Sequence, residues 1–199
     1  MSGHPAVFLD KDGTLVENVP YSADPDDLAL TPRAGEGLRL LAAAGYALVV
    51  VTNQSGVARG RFPESALPPL ATALRSLVAH EGATLLDVCW CPHHPDGVVP
   101  GYALACSCRK PAPGLLRRAA AVHGLDLDAS WLVGDILDDV EAGRRAGCRT
   151  ILLDRGGETE WRLAPQRLPH FVARDLREAA EIVLGEPTGA TAVSAEAAG

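Results

Sequence analysis

Short, unbroken apolar runs alternate along this chain with stretches whose leucines recur every three or four positions, and that alternation limits the folds open to it. Ala6-Val7-Phe8-Leu9, Tyr46 to Val51, Leu85 to Cys89, Ser130 to Val133 and Thr150 to Leu153 read as strands. Apolar character without polar alternation marks strands covered on both faces. Between them, helices are predicted over Pro32 to Ala44 (Leu38, Leu40, Leu41; stopped by Gly45) and Pro63 to His80 (Leu67, Leu70, Leu74, Leu77). Two more run over Pro113 to His123, ended by Gly124, and Asp138 to Ala146, ended by Gly147; Asp175 to Leu184 is the last. Strand-helix-strand order of this kind demands parallel pairing with crossover helices, an α/β three-layer, Rossmann-like parallel sheet. Residues 1–185 are expected to form one domain and the small, polar 186–199 a disordered tail. Residues 15–31, rich in Pro, Asp and turn formers, read as a flap rather than a cap domain.

Each strand of interest ends in polar residues, at the sheet edge where open α/β folds bind ligands. In Asp10-Lys11-Asp12-Gly13-Thr14 two carboxylates sit two positions apart and so point to one side of an extended strand end. Such neighbours repel unless a cation or a shared proton lies between them, which suggests a nucleophilic Asp10, an acid/base Asp12 and a nearby Mg²⁺. Val133-Gly134-Asp135 repeats the pattern, and Asp135 has the hard oxygen chemistry that Mg²⁺ takes. Asp139, four residues on, could hold a lysine or the metal's water shell, whereas Asp138 suits the first turn of a helix. After Val51, the run Thr52-Asn53-Gln54-Ser55-Gly56 offers hydroxyls, amides and backbone N–H groups to a phosphate.

Of eighteen basic residues only Lys11 and Lys110 are lysines. Arginine serves as the ordinary surface cation here, so each compact ammonium marks a chemical requirement. Lys110 would neutralise a phosphate as a point charge, and the adjacent Arg109 could grip a second oxyanion with two N–H groups. Just upstream, Cys91-Pro92-His93 and Cys106-Ser107-Cys108 make a Cys₃His set of the kind that holds zinc tetrahedrally. With all four positions filled by protein, that zinc would be structural and would clamp the Pro/Gly-rich loop between the pairs. His94 could replace His93, and Cys89 could compete; Cys89 and Cys148 otherwise suit the core as small apolar residues.

A net charge of −7 argues against nucleic acid as a partner. No apolar stretch approaches the ~20 residues a membrane span needs, and Met1-Ser2-Gly3-His4-Pro5 lacks the features of a signal peptide. A cytoplasmic monomer with a small anionic substrate is expected, and clustered cysteines in a reducing compartment favour metal over disulfide.

Taken in order, Asp-x-Asp-Gly-Thr, strand-Thr-Asn, Lys-Pro and Gly-Asp-x-x-x-Asp resemble the haloacid-dehalogenase superfamily of aspartyl-phosphate phosphatases over residues 6–155. The inserted Cys-x-His…Cys-x-Cys-Arg-Lys-Pro loop is similar to the capless, zinc-containing branch, which includes heptose 1,7-bisphosphate 7-phosphatases and histidinol-phosphate phosphatases. The long interval from His93 to Cys106 favours the heptose enzymes. This resemblance implies that Asp10 attacks phosphorus while Asp12 protonates the leaving oxygen and then activates water. It implies Mg²⁺ between the Asp10 carboxylate, the Asp12 carbonyl and Asp135, with Thr52 and Lys110 on the phosphoryl group. Asn18 to Tyr21, Asn53, Gln54, Ser55 and Arg109 would face the sugar and its distal phosphate. Zinc would sit on Cys91, His93, Cys106 and Cys108. The runner-up substrate is histidinol phosphate or another small sugar phosphate, and the non-enzymatic alternative is a zinc-stabilised binding module. Heptose phosphatases often have Gly-Asp-Lys where this chain has Gly-Asp-Ile, so Ile136 removes a cation from beside the metal.

Overall fold

Strand β1 (Ala6–Leu9) is wholly buried, and its side chains divide between two cores. Ala6 and Phe8 face one way, toward α3 (Gly114–His123) and α4 (Leu137–Ala146); Val7 and Leu9 face the other, toward α1 (Ala34–Ala43), α2 (Leu67–His80) and α5 (Leu176–Val183). This follows from the period-2 geometry of a strand with apolar residues at every position. The structure, a computed structural model, describes residues 3–185 and 191–192.

The remaining strands are β2 (Ala47–Asn53), β3 (Leu85–Cys91), β4 (Trp131–Gly134), β5 (Arg149–Leu153), β6 (Phe171–Ala173) and β7 (Thr191–Ala192). Their order in the sheet is β3-β2-β1-β4-β5-β6-β7, and all neighbours are parallel except β6 and β7. Phe8 pairs with Val49 on one side and Leu132 on the other. After β3 the chain returns to the far side of β1, so the sheet grows in opposite directions from the β1/β4 junction. Ligands of such sheets bind where the connections diverge, outside the carboxyl ends of those strands.

Two strands run further than their apolar residues suggested. β2 continues through Thr52 and Asn53, and β3 through Trp90 and Cys91, because backbone pairing carries on past the change in side-chain polarity. β6 was not anticipated: three residues are too few for a periodicity, and it gains its place from pairing with β5 and from Phe171, whose ring lies 6.0 Å from that of Trp131. The helix expected from Pro63 starts as a 3-10 turn (Glu64–Ala66) before α2, with Pro68 and Pro69 in the first turn, where proline is tolerated.

Residues 15–31 leave and rejoin the domain at a pinned base. Val16 bridges Leu30, Glu17 N–H donates to Ala29 O (2.8 Å), and Thr31 Oγ1 donates to Thr14 O (2.7 Å). Of the expected tail, 186–190 and 193–199 lie outside the described residues, and Thr191–Ala192 pairs along the β6 edge. No described helix is long and apolar enough to cross a membrane.

Because Phe8 is fully buried beneath the first site residue, Phe8→Ala should destabilise the fold by about 3–5 kcal/mol. Urea denaturation measures this, and a loss under about 1 kcal/mol would contradict the packing described.

Candidate active site

Asp10 follows directly on Leu9, the end of β1, and its N–H still donates to Val133 O of β4 (3.0 Å). Asp135 follows Gly134 at the tip of β4, so two adjacent strands deliver carboxylates to one place. Carboxylate oxygens of Asp10, Asp135 and Asp139 lie within 4.8 Å of one another, and all three residues are buried. Gly13 turns the chain away at φ 82°, and a Cβ there would overlap Asp135 Oδ2. Thr14 Oγ1 donates to Asp135 Oδ1 (3.4 Å).

Lys110 comes from the loop between β3 and α3 and is only 1% exposed. Its Nζ lies 2.5 Å from Asp10 Oδ1 and 2.6 Å from Asp139 Oδ1, and it donates to Val51 O at 2.9 Å. Asn53 fastens the lysine's backbone from both sides, donating from Nδ2 to Lys110 O (3.1 Å) and accepting from Lys110 N–H at Oδ1 (3.0 Å). Much of the Asn53 amide is thus engaged in holding Lys110, a role its sequence context did not suggest.

These contacts set the charges. Burial favours a neutral Lys110 amine, but the Asp10 and Asp139 carboxylates outweigh it and hold the ammonium's pKa above the ordinary lysine value. Burial, reinforced by the charge of Asp10, pushes the Asp135 carboxyl up to about 7. At an effective dielectric near 20, two carboxylates at 4.8 Å repel by about 3–4 kcal/mol. Lys110 is shared between Asp10 and Asp139, so one ammonium faces three carboxylates and the Asp10–Asp135 side of the cluster is still in want of positive charge. Their all-oxygen chemistry fits a hard divalent cation.

Asp12 faces a different set of partners. Lys11 Nζ lies 2.5 Å from its Oδ1, and Gln54 Nε2 donates both to Asp12 Oδ2 (3.2 Å) and to Thr52 Oγ1 (2.9 Å). Burial raises its carboxyl pKa, with Lys11 opposing and Asp10 adding to the rise. Lys11 is therefore occupied by Asp12, and Lys110 is the lysine beside Asp10.

Asp12 also borders a cavity of about 290 Å³. Five of the expected substrate contacts, Asn18, Tyr21, Asn53, Gln54 and Ser55, line it; Thr52, Arg109 and Lys110 do not. Arg109 Nη1 is buried without a hydrogen-bond partner. The flap contributes Asn18 to Ser22, with Tyr21 held at φ 55° beneath the Arg61 guanidinium, 5.6 Å from its ring centroid. Gly56 and Phe62 complete the wall from the loop after β2. No motif pointed to Phe62; it becomes a wall only because the loop folds back toward the flap.

Cys91 ends β3, and the loop after it returns Cys106 and Cys108 to the same spot. Cys91 Sγ lies 3.6 Å from His93 Nδ1, 3.5 Å from Cys106 Sγ and 2.9 Å from Cys108 Sγ. Cys108 Sγ lies 3.3 Å from both Cys106 Sγ and His93 Nδ1. A zinc–thiolate tetrahedron has edges of roughly 3.8 Å, so this cluster needs little expansion to take the ion. Burial pushes the Cys91 and Cys108 thiols up, which a coordinated cation would reverse by favouring thiolate. Between the two candidate histidines the structure brings in His93. His94 instead accepts at Nδ1 from Asp96 N–H (3.0 Å), with Nε2 3.1 Å from Arg59 Nη2. Cys89 and Cys148 are buried in the core on the α3/α4 face of the sheet.

One part of the site had no sequence signal. After β5 the chain runs back over Asp135: a Cβ at Gly157 would overlap Asp135 Oδ2, and Glu158 Oε2 accepts from Leu137 N–H (2.7 Å) at the start of α4. Arg155 Nη2 donates to Glu17 Oε1 in the flap (3.1 Å).

The family model described as HAD-hyrolase-like matches residues 107–179. D-glycero-beta-D-manno-heptose-1,7-bisphosphate 7-phosphatase of Photorhabdus laumondii is 41% identical over 156 residues, 78% of this chain and 83% of that protein. The D-glycero-alpha-D-manno-heptose-1,7-bisphosphate 7-phosphatase of the same organism is 37% identical over 150 residues, 75% of this chain and 82% of its own. The crystal structure of D,D-heptose 1,7-bisphosphate phosphatase from B. bronchiseptica, complexed with magnesium and phosphate, superposes with a TM-score of 0.74 at 31% identity, covering 92% of this chain and 99% of that one. With a doubly wound sheet, carboxylates at two strand tips and relatives of this identity and coverage, the chain belongs to the HAD-like hydrolases, in the family of the D-glycero-D-manno-heptose-1,7-bisphosphate 7-phosphatases.

Proposed function

We propose that this protein is a Mg²⁺-dependent phosphatase that removes the 7-phosphate of D-glycero-D-manno-heptose 1,7-bisphosphate through an aspartyl phosphate on Asp10. The observation that carries the reading is the meeting of Asp10, Asp135 and Lys110, two acids and a base from three separate segments, beside a cavity bordered by Asp12.

In the first step an Asp10 carboxylate oxygen bonds to phosphorus as the bond from phosphorus to the sugar oxygen breaks. Asp12 gives its proton to that departing oxygen, a task suited to a carboxyl whose pKa is raised by burial. In the second step Asp12 takes a proton from water as the water oxygen bonds to phosphorus and the Asp10 carboxylate leaves. Lys110 neutralises charge on the transferring group, and the Thr52 hydroxyl, which accepts from Gln54, keeps its own proton to donate to a phosphoryl oxygen. Asp10, Asp135 and the Asp12 carbonyl would hold Mg²⁺, which when bound supplies the remaining positive charge and orients the phosphoryl group.

Asn18, Tyr21, Asn53, Gln54 and Ser55 are the cavity residues we assign to the sugar. Arg109, with a buried N–H still free, is assigned to the distal phosphate. Cys91, His93, Cys106 and Cys108 would hold a structural zinc ion, leaving no coordination position for substrate. The zinc loop leads directly into Arg109 and Lys110, so shaping the loop also places both cations. Five cysteines with no disulfide among them suit a reducing, cytoplasmic setting.

Asp10→Asn should lower phosphate release from heptose 1,7-bisphosphate by roughly 10³-fold or more, measured on purified, folded protein; unchanged release would remove Asp10 as nucleophile. Compared by kcat/KM, both heptose bisphosphate anomers should exceed histidinol phosphate, and the opposite ranking would reject the substrate. Cys106→Ser should reduce bound zinc and lower the melting temperature, whereas wild-type zinc content in that variant would dismiss Cys106 as a ligand.

A further inference from the structure

The Asp135 carboxylate lies between two glycines that are far apart in sequence. A Cβ on either Gly13 or Gly157 would overlap the same atom, Asp135 Oδ2, while Thr14 Oγ1 holds Oδ1 at 3.4 Å. The two glycines differ in kind. Gly13 has φ 82°, so its backbone alone excludes other residues. Gly157 lies outside the left-handed region, and its nearest obstacle to a methyl group is the Asp135 side chain. A methyl there would force the carboxylate to swing, and Gly13 narrows the room on the other side.

The strap carrying Gly157 is held down by its own contacts. Glu158 Oε2 accepts from Leu137 N–H at 2.7 Å, and Glu158 Oε1 accepts from Glu160 N–H at 2.6 Å. Leu137 opens α4, the helix that follows Asp135 and carries Asp139. Ile136, at the position where a polar side chain would ordinarily cap that helix, has no oxygen to offer, and Glu158 supplies the acceptor from elsewhere in the chain.

We propose that Gly157 is a positioning residue for the metal site: pressed onto Asp135 by the Glu158–Leu137 contact, it sets the direction in which the Asp135 carboxylate presents its oxygens to the cation. This rests on the reading of Asp135 as a cation ligand. Groups that orient a ligand typically change metal affinity by about 10–100-fold when altered. Because a short side chain yields and no backbone has to move, the effect falls on metal binding more than on folding.

The test uses the full-length, zinc-loaded protein titrated with Mg²⁺ by calorimetry and with Mn²⁺ by electron paramagnetic resonance. Gly157→Ala should bind both ions about 10–100-fold more weakly, with wild-type zinc content and little change in melting temperature when no divalent ion is added. Glu158→Ala should weaken binding in the same direction, and Glu158→Gln, which keeps an acceptor oxygen, should recover most of the loss. Affinity within twofold of wild type in folded Gly157→Ala overturns the proposal. Should that variant not fold, wild-type affinity in Glu158→Ala overturns it instead. Asp135→Asn separates the two levels: if it binds Mg²⁺ as wild type does, the ligand assignment fails and the role of Gly157 falls with it. If only Asp135→Asn loses the ion, the assignment stands and Gly157 is not a positioning residue.

Discussion

The ammonium of Lys110, enclosed between Asp10 and Asp139, is the interaction on which the arrangement of the site depends. Without it the tips of β1 and β4 and the first turn of α4 would bring three buried carboxylates within 4.8 Å of one another, with Thr14 Oγ1 donating to Asp135 and Ile136 N–H to Asp139 but no cationic partner. A buried ion pair is costly to form, because both partners lose water, and it persists only where further hydrogen bonds satisfy it. Lys110 meets that condition through Val51 O on its ammonium and Asn53 on its backbone. One lysine thereby joins the ends of β1 and β2 and the start of α4.

The rest of the molecule can be understood as delivering that lysine. The Cys/His loop leaves β3 at Cys91 and comes back through Cys106 and Cys108, two residues before Lys110. Its intermediate turns are fixed by Ala58 O, which accepts from Val98 and Val99 N–H at 2.7 and 3.0 Å, and by Glu64, which accepts from Tyr102 Oη at 2.7 Å. A fourteen-residue insertion with prolines and glycines would otherwise sample many conformations, and each residue fixed costs about 1–2 kcal/mol of backbone entropy. A metal ion on Cys91, His93, Cys106 and Cys108 would remove much of that freedom at one point close to Lys110. The flap is also tied to the segment after β5, through Arg155 and Glu17, so the cavity wall and the strap over Asp135 share a contact.

What could be read in the residues was local or compositional. Asp10 and Asp12 are two apart at a strand end, Asp135 stands directly after another apolar run, and the Cys/His spacings match a tetrahedral ion. Each is a short-range pattern with a chemical reason, as is the isolation of Lys110 among arginines. The order of these motifs made the family recognisable. What could not be read lies in contacts across long sequence separations. Asn53 holds the backbone of Lys110, fifty-seven residues away, and Gly157 approaches Asp135 with no motif of its own. β6 is too short for a pattern, and Phe62 becomes part of the cavity only when its loop folds back.

The sequence by itself determined the layer architecture and the presence of a carboxylate-and-lysine group and a thiol–imidazole group suited to a metal ion, because side-chain type and short spacing are written directly in the chain. Only the tertiary structure decided which histidine joins the cysteines, what holds the backbone of Lys110, and how Asp135 is oriented. Those choices depend on where distant segments meet once the strands pair around β1, and neighbours of one type, such as His93 and His94, are told apart only when packing gives each a different partner.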